Sequence, residues 1–278
     1  MSDTRHPSLG SGPQLPKRVV AGGAMLDLLE RPQLLELVSA RLAAAERPLV
    51  VASSNLDHVT HFGAGGAHRD PAVSAEADWI VTADGMPLVG AARLMTNRAW
   101  PQLAGSDLLP QMLEVAQDRG ATVGFVGGWP EQHERLHDAL TAAFPELVIG
   151  GFWSPSRSEL ASAEGGAALA EQVGAVGVDL LVVGLGKPRQ ELWLAEHIAR
   201  CDARVALAFG AAADFLAGTA QRAPEGWRRF GMEWLYRLLS EPRRLWRRYL
   251  LQGPVAVWRM LRCSKAPSAR TGAARPGR

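Results

Sequence analysis

Cysteine is almost missing from this 278-residue chain. Its two copies, Cys201 and Cys263, match no metal-ligand spacing and are too few for the disulfide framework of a small secreted domain. A reducing compartment follows. Long apolar runs are also missing: the strongest stretch, Val178 to Leu185, falls far short of the roughly 20 residues needed to span a bilayer. Any membrane contact must therefore be peripheral. No two aspartates stand two positions apart, so the chain lacks an Asp-x-Asp metal motif. His58, His61 and His68 are accompanied by no Cys cluster and no H-E-x-x-H pattern, so surface or capping roles are expected, with no metal and no cofactor. A full G-x-G-x-x-G is lacking as well, because Lys187, Pro188 and Arg189 follow the second glycine of Gly184-Leu185-Gly186. That weakens a dinucleotide reading without removing it. Residues 1 to 17 are rich in Pro, Gly and Ser but have neither the basic start nor the apolar run of a signal peptide, and are read as a disordered tail.

What is present points to an α/β protein. Apolar residues make up 47% of the chain, enough for one large core or a core with an appendage. Short β-branched runs at Pro48–Ser53, Trp79–Thr82, Ala121–Val126, Glu146–Gly150, Asp179–Leu185 and Arg204–Phe209 predict strands. Segments of helical period lie between them, for example Asp107–Gln117, Glu131–Ala143 and Arg189–Ala199. Such alternation implies βαβ units, a mostly parallel Rossmann-like sheet, and a ligand site beyond the carboxyl ends of the strands. Four predicted strand ends carry polar or glycine-rich signals there: Ser53-Ser54-Asn55, Thr82-Ala83-Asp84-Gly85, Gly127-Gly128, and Gly184 to Glu191.

Each signal has a plain alternative. Asp84 before Gly85 suits a carboxylate general base at a sheet edge, but Asp-Gly is also a common turn pair. The Gly184 to Glu191 segment could offer free backbone N–H groups, Gln190 and Glu191 to a nucleotide, or be an ordinary βα turn.

Charge divides the chain. Residues 222 to 278 hold 14 Lys/Arg against three acids, a formal +11, which leaves −9 for residues 1 to 221 within the total of +2. On a helical wheel with Arg243 at zero, Arg247, Arg244, Arg237 and Arg248 fall at about 40°, 100°, 120° and 140°. Leu245, Leu238, Tyr249, Trp246 and Leu250 fall between about 200° and 340°. Opposed basic and apolar faces predict a helix lying in a membrane interface, with a core helix or a nucleic-acid patch as the alternatives and Pro242 as a break in the pattern. The domain reading is therefore a tail at 1–17, a core at 18–221, an Arg/Trp-rich appendage at 222–265 and a second disordered tail at 266–278.

Taken together, the markers Asn55, Asp84-Gly85-Met86-Pro87, Gly105-Ser106-Asp107-Leu108, Val126-Gly127-Gly128, Val183 to Glu191, Arg222-Ala223-Pro224 and Glu233-Trp234-Leu235-Tyr236-Arg237 resemble the WecG/TagA/CpsF glycosyltransferase family (glycosyltransferase family 26) from about Leu49 to Leu250. The resemblance implies a Rossmann-like fold and metal-independent, inverting transfer. The donor would be a UDP-sugar of N-acetylmannosamine, N-acetylmannosaminuronic acid or glucose type, and the acceptor an undecaprenyl-diphosphate-linked saccharide. It implies Asp84 as the base and Ser53, Asn55, Gln190, Glu191 and Asp214 around the donor, with Arg237, Arg244 and Arg247 closing over the diphosphate. Ser53 stands where the family usually has Thr, and Gln102 where it usually has an arginine, a charge that Arg98 could replace. The expected location is the cytoplasmic face of the plasma membrane, with no nucleic-acid partner and room for a homo-oligomer. An oxidoreductase and a catalytically impaired homologue are the rival readings.

Overall fold

The computed structural model describes residues 16–44, 46–219, 224, 226–227, 233–240 and 242–268. Most of the two expected tails, 1–15 and 269–278, lies outside the described residues.

The centre of the fold is a six-stranded, wholly parallel sheet in the order β4-β3-β8-β7-β5-β6. Its strands are β3 (Leu49–Ser54), β4 (Asp78–Ala83), β5 (Thr122–Gly127), β6 (Val148–Trp153), β7 (Leu180–Gly184) and β8 (Val205–Ala208). Three of the four inner strands, β3, β7 and β8, are almost continuous apolar runs because both of their faces are covered. Alternate residues feed two cores. Val50, Ala52, Leu181, Val183, Ala206 and Ala208 face one; Leu49, Val51, Leu180, Val182, Val205 and Leu207 face the other.

Helices α2 (Leu56–Phe62), α3 (Met86–Thr96), α6 (Ala163–Gly174) and α7 (Arg189–Cys201) cover the first face. The second is covered by α1 (Arg31–Ala43), α4 (Gly105–Asp118), α5 (Pro130–Ala143) and the short α8 (Ala212–Leu216). The Rossmann-like three-layer expectation is met. β6 is the one of the six predicted strands displaced by more than a residue, running Val148–Trp153 rather than Glu146–Gly150. It is an edge strand with a half-exposed pattern, so no continuous apolar run marked its limits.

A hairpin of β1 (Lys17–Ala21) and β2 (Ala24–Leu28), turning on Gly22 and Gly23, lies beside β4. Arg18 fastens it, donating through Nε and Nη2 to the Asp27 carboxylate at 2.9 Å each and through Nη2 to the Trp79 carbonyl at 2.8 Å. Asp27 in turn accepts from the Val81 N–H at 2.8 Å.

The C-terminal region is helical at Glu233–Ser240 and Pro242–Trp246, π-helical at Arg247–Gln252, and α-helical again at Gly253–Arg262. Pro242 opens its helix, where the missing N–H costs no bond, instead of breaking one. The π-turn closes i→i+5 and changes the angle per residue, so one α-helical wheel does not run through Arg247–Gln252; of the apolar face expected there Leu245 is buried, while Trp246 and Leu250 are exposed. Gly253–Arg262 returns to the core. Ala256 is fully buried, and Arg259 donates to the carbonyls of Thr60 and Gly65 at 2.9 Å each. A short strand β9 (Lys265–Ser268) then pairs antiparallel with β1. No helix among the described residues is long and apolar enough to cross a membrane.

Candidate active site

The helix after β3 (α2) goes to one face of the sheet and the helix after the adjacent β8 (α8) to the other. Their loops part at the carboxyl ends, and a crevice opens there, as at other switch points of open parallel sheets. A cleft of about 770 Å³ occupies this position.

Its polar wall comes from strand ends. The register Ser53↔Thr82 and Ser54↔Ala83 lets β3 and β4 finish side by side, so Asn55 and Asp84 leave the sheet as neighbours. Ser54 accepts from the N–H groups of Asp84 (2.9 Å) and Gly85 (3.2 Å). The Gln102 amide donates to the Asp84 carbonyl at 2.5 Å. The backbone of Asp84 is thus tied on two sides. A Cβ on Gly85 would stand 3.3 Å from Asn55, which gives glycine a reason at that turn. Asn55 caps α2, its Oδ1 accepting from the N–H groups of Asp57 (3.1 Å) and His58 (3.4 Å). Its amide nitrogen takes no part in that cap.

Ser53, Asn55, Asp84 and Gln190 all line the cleft. The Gln190 side chain accepts from the Gly186 N–H at 3.1 Å and donates to the Ala208 carbonyl at 3.0 Å, so α7 is pinned across the ends of β7 and β8. Glu191 is placed differently: it is fully buried behind the wall and ion-paired with Lys187. Asp214 lines a smaller adjoining hollow with Gly127, Gly128, Gly184 and Gly210. Arg247 is exposed and is not among the cleft-lining residues. The side chains of Arg237 and Arg244 lie outside the described residues. Arg98 sits over the Trp100 ring at 4.5 Å and pairs with Glu30 at 3.6 Å, away from the lining residues. It does not replace a charge at Gln102.

Sequence reasoning missed two features. One is Lys187, which lines the cleft while donating to the Ser53 carbonyl at 2.7 Å and to Glu191. The other is the apolar wall of Pro254, Val257, Trp258 and Leu261, with Trp234 beside it. Those four recur at i, i+3, i+4 and i+7, the stripe of one helix face, and lie just beyond the stretch in which the family markers were found.

Beneath the polar wall, burial and the nearby Lys187 and His61 charges hold His58 well below its ordinary value, so it is neutral. Its ring nitrogens, the Ser54 hydroxyl and Glu191 Oε2 have no hydrogen-bond partner among the described residues. Among those residues, no group of three or more His, Cys, Asp or Glu is arranged to hold a metal ion.

The chain also matches the sequence model of a family described as "Glycosyl transferase WecG/TagA/CpsF family", over residues 19–270.

Proposed function

The chain belongs to the WecG/TagA/CpsF glycosyltransferase family and is a transferase, and on that premise we propose that it moves a sugar from a UDP-sugar onto an undecaprenyl-diphosphate-linked saccharide at the cytoplasmic face of the plasma membrane. The observation that carries this reading is the two-sided cleft. Ser53, Asn55, Asp84, Lys187 and Gln190 line one wall and Val257, Trp258 and Leu261 the other. An amphiphile with a sugar-diphosphate head and a hydrocarbon tail suits both walls at once. The same apolar residues are exposed, Trp258 by 57% and Leu261 by 81%, so this wall continues onto the surface. There it would contact the bilayer that holds the tail, with Arg262 on the same helix near anionic headgroups.

In this mechanism Asp84 accepts the proton of the acceptor hydroxyl, a poor nucleophile until deprotonation begins. The attack inverts the anomeric carbon, and negative charge grows on the departing UDP. Arg237, Arg244 and Arg247 are assigned to oppose it without a metal, which requires the C-terminal segment to close over the bound donor. Asn55, Gln190 and Asp214 orient the donor.

The test is transfer from a panel of UDP-sugars to a short-chain lipid-diphosphate-sugar acceptor, read by mass spectrometry with and without EDTA. Transfer with at least one UDP-sugar, unaffected by chelation, is expected. Turnover restored by Mg²⁺ or Mn²⁺ after chelation would overturn the metal-free mechanism, and hydride transfer from a nicotinamide cofactor would favour the oxidoreductase reading. Changing Val257, Trp258 and Leu261 to Ser should weaken binding to anionic liposomes. Unchanged binding by the folded variant would remove the membrane from the proposal.

A further inference from the structure

The cleft holds two carboxylates, Asp57 and Asp84, and Lys187 is the one cationic side chain among its described lining residues. Gln102 brings no charge and spends its amide on the Asp84 carbonyl. A diphosphate or a sugar carboxylate entering this wall calls for a cation, and among the described lining residues Lys187 supplies it.

The local geometry fits that task. Lys187 is four residues before Glu191, so the start of α7 brings the two side chains together. Glu191 is fully buried, and the Lys187 side chain is 8% exposed at the cleft wall. The carboxylate therefore stands behind the ammonium, out of a ligand's reach. Two of the three ammonium N–H groups are committed, one to Glu191 and one to the Ser53 carbonyl. The third has no acceptor among the described residues, and the α7 N-terminus adds partial positive charge close by.

We propose that Lys187 is a specificity-determining cation of the cleft, held in place by Glu191 and Ser53 and giving its third N–H to an oxyanion of the donor. This rests on the reading of the cleft as a nucleotide-sugar site and assigns to it a contact that the family markers did not provide. The oxyanion is either the diphosphate or the carboxylate of a uronic-acid sugar, and the two are separable by experiment. Glu191 acts through Lys187 and is a positioning residue.

Lys187→Met alone leaves Glu191 buried without its partner, which threatens folding. The decisive variant is therefore Lys187→Met combined with Glu191→Gln, which leaves no buried charge. Titration calorimetry on the full-length protein compares uridine, UDP, a UDP-hexose and a UDP-hexuronate. Loss of one charge-assisted hydrogen bond predicts about a ten- to hundredfold weaker affinity. If the diphosphate is the partner, the loss appears for UDP and not for uridine. If the carboxylate is the partner, UDP is unaffected and the preference for the hexuronate over the hexose falls. A double variant with the wild-type melting temperature and no change in either quantity overturns the inference and leaves Lys187 as the mere neutraliser of Glu191. Wild-type protein that binds UDP no better than uridine, and no UDP-sugar, overturns the nucleotide-sugar reading itself and this inference with it.

Discussion

His58 makes the folded protein sensitive to mild acid, and the size of the effect can be worked out. The side chain is fully buried on α2 with its ring centroid 4.7 Å from that of Phe62, and Lys187 and His61 oppose any charge on it. Its folded value lies well below 6.5, its value in the unfolded chain. Above 6.5 both states are neutral and the group costs nothing. As pH falls through 6.5 the unfolded chain takes up the proton and the native state does not, so stability is lost until the depressed folded value is reached. For one such histidine the loss between pH 7 and pH 5 is at most about 2 kcal/mol. With a urea slope of about 3 kcal/mol/M this moves the unfolding midpoint by up to roughly 0.6 M. His61 and His197 are also lowered and act in the same direction, whereas Asp70, raised by burial, gains stability as pH falls through its folded value. These contributions cancel when wild type is compared with His58→Phe. Urea unfolding at pH 7 and pH 5, followed by tryptophan fluorescence, should show the variant losing less stability than wild type on acidification, by up to about 2 kcal/mol. At pH 7 it should be at least as stable, because an unpartnered imidazole is replaced by a ring with nothing to satisfy. A variant whose acid loss matches wild type within about 0.5 kcal/mol would refute the assignment of that sensitivity to His58. The consequence reaches the cleft, since the His58 backbone N–H is one of the two donors that Asn55 caps.

Asp84→Asn keeps the shape of the wall and removes the proton acceptor, so turnover should fall by about 10²- to 10⁴-fold while UDP affinity stays within a few-fold of wild type. Steady-state kinetics and calorimetry on the same preparation check this, and a loss of only a few-fold sinks the base assignment. Asp27→Ala should cost about 3–5 kcal/mol in urea unfolding, because it strands Arg18 and the Val81 N–H against the hairpin. Arg18→Met combined with Asp27→Leu should recover much of that loss, and a loss below about 1 kcal/mol for Asp27→Ala would show that the pair does not hold the hairpin. Burial pushes the Cys201 thiol up to about 12, so at pH 8 iodoacetamide should modify the half-buried Cys263 and spare Cys201 until the protein is unfolded. Labelling of native Cys201 at the Cys263 rate, read by peptide mass spectrometry, would contradict its burial.

The sequence by itself marked the six strands of the parallel sheet and the polar residues at their ends, but not the hairpin β1–β2 or the strand β9 that pairs with it. A strand covered on both faces must be apolar throughout, so β3 and β7 are visible as runs, and the polar residues that follow them mark where the sheet ends. Asn55, Asp84 and Gln190 were legible for that reason. Only the tertiary structure decided what stands next to what. The order β4-β3-β8-β7-β5-β6 sets β8 against β3 and so opens the crevice, while no local pattern records which strand will be a neighbour. Glu191, adjacent to Gln190 in sequence, turns inward because successive residues of a helix point about 100° apart. Lys187 looked like an interruption in a glycine motif. Its role depends on the Ser53 carbonyl, 134 residues earlier in the chain, coming within 2.7 Å. The helix Gly253–Arg262 serves two surfaces at once, Ala256 toward the core and Trp258 toward the cleft, and a single hydrophobic stripe cannot announce both. The segments are prescribed by periodicity, a local property of the chain. The site is made by contacts between distant segments, whose pairing is settled by how the two cores pack.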